Sequence, residues 1–155
     1  MEELNSMSME NINIKNIESH YNTIFYKVLT EEAHIFLFEG GQFTKKDNCK
    51  LFIKYMIKVI DFYLYEYPET ITVILNLEDM HKEALNIDFI VQFVKKFKKI
   101  YENRIILRKF YILHCPSKIK TIYNFIKTFL HPETKEKIKL IKPEKSLSVE
   151  EYYYN

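Results

Sequence analysis

Apolar and polar positions along the chain switch between a period of two and a period near 3.6. Thr23–Val28 (TIFYKV) and His34–Phe38 (HIFLF) are β-branched and aromatic runs joined across Leu29–Ala33, which predicts a strand hairpin. Gly40–Gly41 then allow a sharp turn. From Lys45 to Tyr67 the pattern is helical. Asp47, Lys50, Lys54, Lys58 and Asp61 make a narrow polar stripe, and Leu51, Phe52, Tyr55, Met56, Val59, Ile60, Tyr63 and Leu64 take the remaining surface. A helix of that kind is expected to be mostly buried. Pro68 ends it, because proline disfavours helix at the residue before it.

Thr70–Leu77 (TITVILNL) is a continuous β-branched run, the pattern of a central strand covered on both faces. Asn86 is an expected N-cap for a helix over Ile87–Tyr101, with Asp88 in its first turn. Asp88, Gln92, Lys95 and Lys99 form its polar stripe, and Ile90, Phe93, Val94, Phe97 and Ile100 its apolar side. Lys109–His114 predicts a further strand. Ser117, after Pro116, is expected to cap a helix that runs to about Leu130, where His131–Pro132 stops it, and Ile138–Ile141 predicts a last short strand. The order β-β-α-β-α-β-α-β implies an α/β fold: a single domain with a mainly parallel β-sheet and flanking helices. Residues 1–22 read as an N-terminal arm, 23–141 as the domain and 142–155 as a C-terminal tail.

Composition narrows the chemistry. The 155 residues are 47% apolar and 28% charged, as expected of a globular chain. Two adjacent glycines cannot build a glycine-rich phosphate cradle. Cys49 and Cys115 lie far apart, and His20, His34, His81, His114 and His131 show no metal-ligand spacing, so neither a disulfide framework nor a metal site nor any cofactor is expected. The opening MEELNSMSME lacks the apolar core of a signal peptide, and no uncharged run approaches the roughly 18–20 residues of a membrane span. The expected location is cytoplasmic.

Net charge is only +2, yet residues 95–145 hold 15 Lys/Arg against four Glu. The remainder is net acidic, so one side of the molecule is expected to attract something anionic. Nucleic acid fits poorly, because the aromatics sit on core-facing stripes and do not interleave with the lysines. Catalysis fits poorly as well. His114 and Cys115 are neighbours in a predicted strand, so their side chains point to opposite faces and cannot pair as base and nucleophile.

Residues 109–141, KFYILHCPSKIKTIYNFIKTFLHPETKEKIKLI, are the most informative stretch. A strand Phe110–Leu113, then Pro116, a lysine-punctuated aromatic helix through Lys127 to Phe129–Leu130, then Pro132, Thr134, Lys137 and Ile138, resembles the CRAL-TRIO lipid-binding domain. Thr72–Leu77 followed by Glu78–Asp79 resembles that family's hydrophobic strand and acidic turn, and Ile87–Tyr101 the helix after it. The resemblance covers residues 23–141. It leaves no counterpart for the family's helical N-terminal extension, and Asn103 stands where phosphatidylinositol-binding members carry a glutamate.

The resemblance implies a non-enzymatic protein that holds a single phospholipid, foremost a phosphoinositide, and transfers or presents it between membranes. It implies a lid helix whose lipid-facing residues are Ile119, Ile122, Tyr123, Ile126 and Phe129. The floor would be Val73, Leu75, Phe110 and Ile112, with Phe89 and Phe93 as a wall. Thr134 and Lys137 match the family's headgroup-contacting pair. Transient contact with anionic membranes would follow from the basic window, making the protein peripherally membrane-associated. His114-x-Pro116 and Ile119-Lys120-Thr121 are also similar to the divergent Rho-GAP-type branch, which implies an alternative: a scaffold that binds a small GTPase or forms a homodimer.

Overall fold

The computed structural model describes residues 18–30, 34–44, 49–66, 70–81, 87–101 and 106–154. Residues 1–17 of the expected 1–22 arm, the middle of the first hairpin loop, the start of the long helix at Lys45, its end at Pro68, the Asn86 cap and Asn103 lie outside these residues, and of Phe129 only the backbone is described; the last residues of that arm, 18–21, are helical and bring Tyr21 into the core. Five strands form one sheet in the simple order β1-β2-β3-β4-β5. They are β1 (Phe25–Val28), β2 (Ile35–Glu39), β3 (Ile71–Asn76), β4 (Leu107–Leu113) and β5 (Ile138–Leu140). β1 pairs antiparallel with β2, and every later pair is parallel. The helices are α1 (Cys49–Glu66), α2 (Ile87–Tyr101), α3 (Ser117–Ile126) and α4 (Pro132–Lys137).

Because β2 to β5 advance across the sheet in one direction, right-handed crossovers bring every connecting helix to the same face. That face carries Phe25, Phe36, Phe38, Ile71, Val73 and Ile112, packed with Phe52 and Met56 of α1 and Ile119, Ile122 and Ile126 of α3. The period-two alternation sends Ile35, Leu37, Ile74, Tyr111 and Leu113 to the other face, where Tyr152 closes over them. The tail thus supplies the second covering layer through two 3₁₀ turns, Pro143–Lys145 and Val149–Tyr152. Tyr152 lies 4.9 Å from Tyr111 ring to ring, and its hydroxyl accepts the Leu147 N–H at 3.1 Å.

Several local expectations change. α1 is buried along Phe52, Ile53, Met56, Ile57, Ile60 and Leu64 only. Leu51, Phe62 and Tyr65 stand out in solvent, so the helix is one-sided and not mostly buried. Gly40 begins a 3₁₀ turn without a positive φ, and what requires glycine there is proximity: a Cβ would sit 2.8 Å from the Asn76 carbonyl oxygen. β4 starts two residues before the expected Lys109 and ends at Leu113. His114 leaves the strand at φ 52°, held by its N–H donating to Ser146 Oγ at 2.9 Å. Pro116, not Ser117, occupies the N-cap of α3, without a side-chain cap. α3 becomes a 3₁₀ turn at Lys127–Phe129 before it reaches Leu130. His131 does more than stop that helix: its ring Nδ1 accepts the Glu133 N–H at 3.3 Å, which caps α4 with Pro132 at the position where a missing N–H costs nothing.

Candidate functional site: an apolar cavity beneath α3

A cavity of about 850 Å³ opens between the helix-covered face of β3–β4 and helices α2, α3 and α4. Its floor follows from register. Val73 is opposite Phe110 and Leu75 opposite Ile112, so the four side chains form one contiguous apolar patch. One wall is the inner stripe of α2, with Phe89 and Phe93 at four-residue spacing and Phe97 one turn on. Phe93 and Phe97 lie 5.6 Å apart, ring to ring. The roof is α3, where Ile119, Ile122, Tyr123 and Ile126 fall at i, i+3, i+4 and i+7 and all face the space.

The rim is polar and lies where α3 runs into α4. Thr134 and Lys137, one helical turn apart, both line the cavity and are half-buried. Lys98 of α2, His131 and Glu133 join them. The cavity is therefore apolar at depth and basic with one carboxylate at its mouth. Such a division suits a ligand with an apolar body and an anionic end. Burial pushes the Tyr123 hydroxyl above its ordinary pKa, so it stays a neutral hydrogen-bonding group at neutral pH.

Of the residues picked out by the sequence, Val73, Leu75, Phe89, Phe93, Phe110, Ile112, Ile119, Ile122, Tyr123, Ile126, Thr134 and Lys137 are brought together around this one space. Sequence reasoning missed the inner end, made by Phe25, Phe38, Met56 and Ile60, and the rim residues Lys98, His131 and Glu133. The inner end carries no signal distinct from ordinary core. His131 did carry one, as a polar residue immediately before a proline that opens a helix.

Elsewhere the described chemistry is sparse. Burial pushes the Cys115 thiol up and Lys120 only partly opposes it, so the group stays a protonated, inert thiol. His114 Nε2 lies 3.6 Å from Glu78 at the end of the sheet, and its positive φ removes it from the strand geometry expected for it. Among the described residues, no cluster of three His, Cys, Asp or Glu could hold a metal, and no helix is long and apolar enough to cross a membrane.

This arrangement, a mostly parallel sheet with an apolar cavity roofed by the helix after β4, has a family. The CRAL/TRIO domain profile matches residues 20–154, and the chain belongs to that lipid-binding and lipid-transfer family. Among solved structures it is similar to the crystal structure of Sfh5, at 18% identity and a TM-score of 0.58, over 76% of this chain and 48% of that one. The chain thus spans about half the length of that neighbour, and the likeness is one of fold. A search of curated proteins finds no match.

Proposed function

We propose that this chain binds one glycerophospholipid, a phosphoinositide, with its acyl chains under α3 and its phosphate at Thr134 and Lys137, and carries or presents it between membranes. The observation that carries this reading is the cavity itself: about 850 Å³ of apolar space with its cationic groups gathered at one mouth. Leu75, Phe89, Phe93 and Phe110 remain only half-buried around it. Acyl chains would cover that surface, and each fully covered side chain of this size contributes roughly 1.5–3 kcal/mol. The Thr134 hydroxyl can donate to a phosphoryl oxygen, and Lys137 supplies a point charge beside it.

The protein acts by binding and release, without a catalytic group or cofactor, in the cytoplasm and at the surface of anionic membranes. The 15 Lys/Arg of residues 95–145 steer it there. Salt weakens that docking, since exposed charges are screened over about 10 Å at 0.1 M. The alternative, a GTPase-binding scaffold, would have its pocket filled by side chains, and the open space beneath α3 favours the lipid reading. Native mass spectrometry of protein from a eukaryotic host, paired with phosphatidylinositol transfer between vesicles, tests it. A bound phospholipid and salt-sensitive transfer are expected. Lipid-free protein that moves nothing would overturn the proposal.

A further inference from the structure

The roof of the cavity carries a single polar side chain. Of its inward row Ile119, Ile122, Tyr123 and Ile126, only Tyr123 has a hydroxyl, and the other polar groups around the space belong to Lys98 or to the chain from Thr128 onward. Packing against hydrocarbon calls for nothing that a phenylalanine would lack. The hydroxyl is also unfavourable where it stands: burial raises its pKa, which marks partial removal from water. Among the described residues nothing accepts a hydrogen bond from it. Two polar groups of the rim are engaged within the chain. The Thr128 hydroxyl donates to the Phe125 carbonyl at 2.9 Å, and His131 Nδ1 accepts the Glu133 N–H at 3.3 Å.

Position tells which acceptor would satisfy it. Tyr123 opens the last turn of α3, next to the 3₁₀ turn Lys127–Phe129 that leads to the rim. Its hydroxyl thus stands between the basic mouth and the wholly apolar depth. One helical turn is about 5.4 Å. In a glycerophospholipid, the acceptors next below the phosphate on that scale are the ester carbonyls of the glycerol backbone, and below them lies only hydrocarbon. We infer, resting on the lipid reading above, that Tyr123 is a specificity residue: its hydroxyl donates to an ester carbonyl of the bound lipid. The site then distinguishes an ester-linked glycerophospholipid from an ether-linked one of the same headgroup and chain length. The ether has no carbonyl. Binding it would cover Tyr123 with hydrocarbon and leave the hydroxyl unsatisfied, which is the larger part of what a lost hydrogen bond costs. Thr134 and Lys137 cannot make this distinction, because the two lipids share the phosphate. The hydroxyl is only half-buried, so the discrimination is modest, roughly three- to tenfold, the worth of one neutral hydrogen bond.

Native mass spectrometry of the full chain, incubated with vesicles holding equal amounts of diacyl phosphatidylinositol and its dialkyl ether analogue, tests this. The wild type is expected to take up the diacyl lipid in roughly three- to tenfold excess. Tyr123→Phe keeps the ring and its packing, and it should take up the two lipids alike. A merely structural role for the hydroxyl would change uptake of both lipids together and leave their ratio where it was. A wild-type ratio near one, or a preference that survives in Tyr123→Phe, overturns the inference and leaves lipid binding intact. Uptake of neither lipid overturns the lipid reading itself, and this inference with it.

Discussion

The two faces of the sheet are made from the same strands and are packed in opposite ways. On the tail side, Ile35, Ile74 and Leu113 are completely buried, and a short segment of 3₁₀ turns suffices to cover them. On the helix side, three crossover helices do the covering, yet Leu75 and Phe110 stay half-buried beside about 850 Å³ of space. Adjacent residues on one strand, Ile74 and Leu75, thus belong to a filled core and an open one. Apolar pattern does not distinguish them. What differs is the covering element: a tail can settle onto the sheet, whereas helices held by their connections span it at a distance.

The largest expected effect of breaking this contrast is on stability. Ile74→Ala should cost about 3–4 kcal/mol, in the range for emptying a packed site, and Tyr152→Ala a similar amount, because the Tyr111 contact and the Leu147 hydrogen bond go with it. Leu75→Ala enlarges a space that already exists and should cost under about 2 kcal/mol in the ligand-free protein. Urea titrations of the three variants would measure the difference, and equal losses would mean that the two faces are packed alike.

The next effect is on ligand uptake. Ile122→Trp places a large side chain in the cavity from the roof. Vesicle-to-vesicle lipid transfer should fall at least about tenfold, while Tm holds or rises, since filling a void restores lost contacts. At the rim, Lys137→Ala should weaken phosphoinositide binding about tenfold, one charge-assisted contact being worth roughly 1.5–3 kcal/mol. Thr134→Asp should be worse than Thr134→Ala, and the ligand-free Tm should barely move in either. Phosphatidylcholine, whose headgroup carries its own cation, should suffer less than phosphoinositide from Lys137→Ala in a filter-free binding assay such as vesicle co-sedimentation.

The smallest effect is alkaline. Burial, then the Glu39 carboxylate that Tyr26 meets at 3.3 Å, raise the Tyr26 hydroxyl above its ordinary value of about 10. A raised acid binds its proton more tightly in the folded chain, so its contribution is complete below pH 10 and is lost as pH rises through the folded value. Thermal melts between pH 9 and 11 should show that loss, and Tyr26→Phe should flatten it slightly.

Much of this was legible in the sequence because two periods are unambiguous. The β-branched run at 70–77 and the stripe at 87–101 could be little else, and the floor and roof residues follow from those periods once the strands are in register. α1 shows where the method fails. Its apolar residues exceed what one face can bury, and pattern alone cannot say which of Leu51, Phe52 and Ile53 turns outward. His114 shows a second limit: it takes its place from a left-handed turn that depends on Ser146, a neighbour distant in sequence.

The roof and the rim belong to one unbroken stretch of chain, 117–137, between β4 and β5. Its base is tied shut: the Cys115 N–H reaches the Ile141 carbonyl at 2.9 Å, and the Ile141 N–H reaches Ile112 at 2.9 Å. With both ends fixed in this way, the stretch is expected to open as a unit, like a visor on a fixed pin, while the sheet stays whole. Release of a bound molecule then requires only sub-global opening, and amide hydrogens of α3 should exchange well before those of β3 and β4.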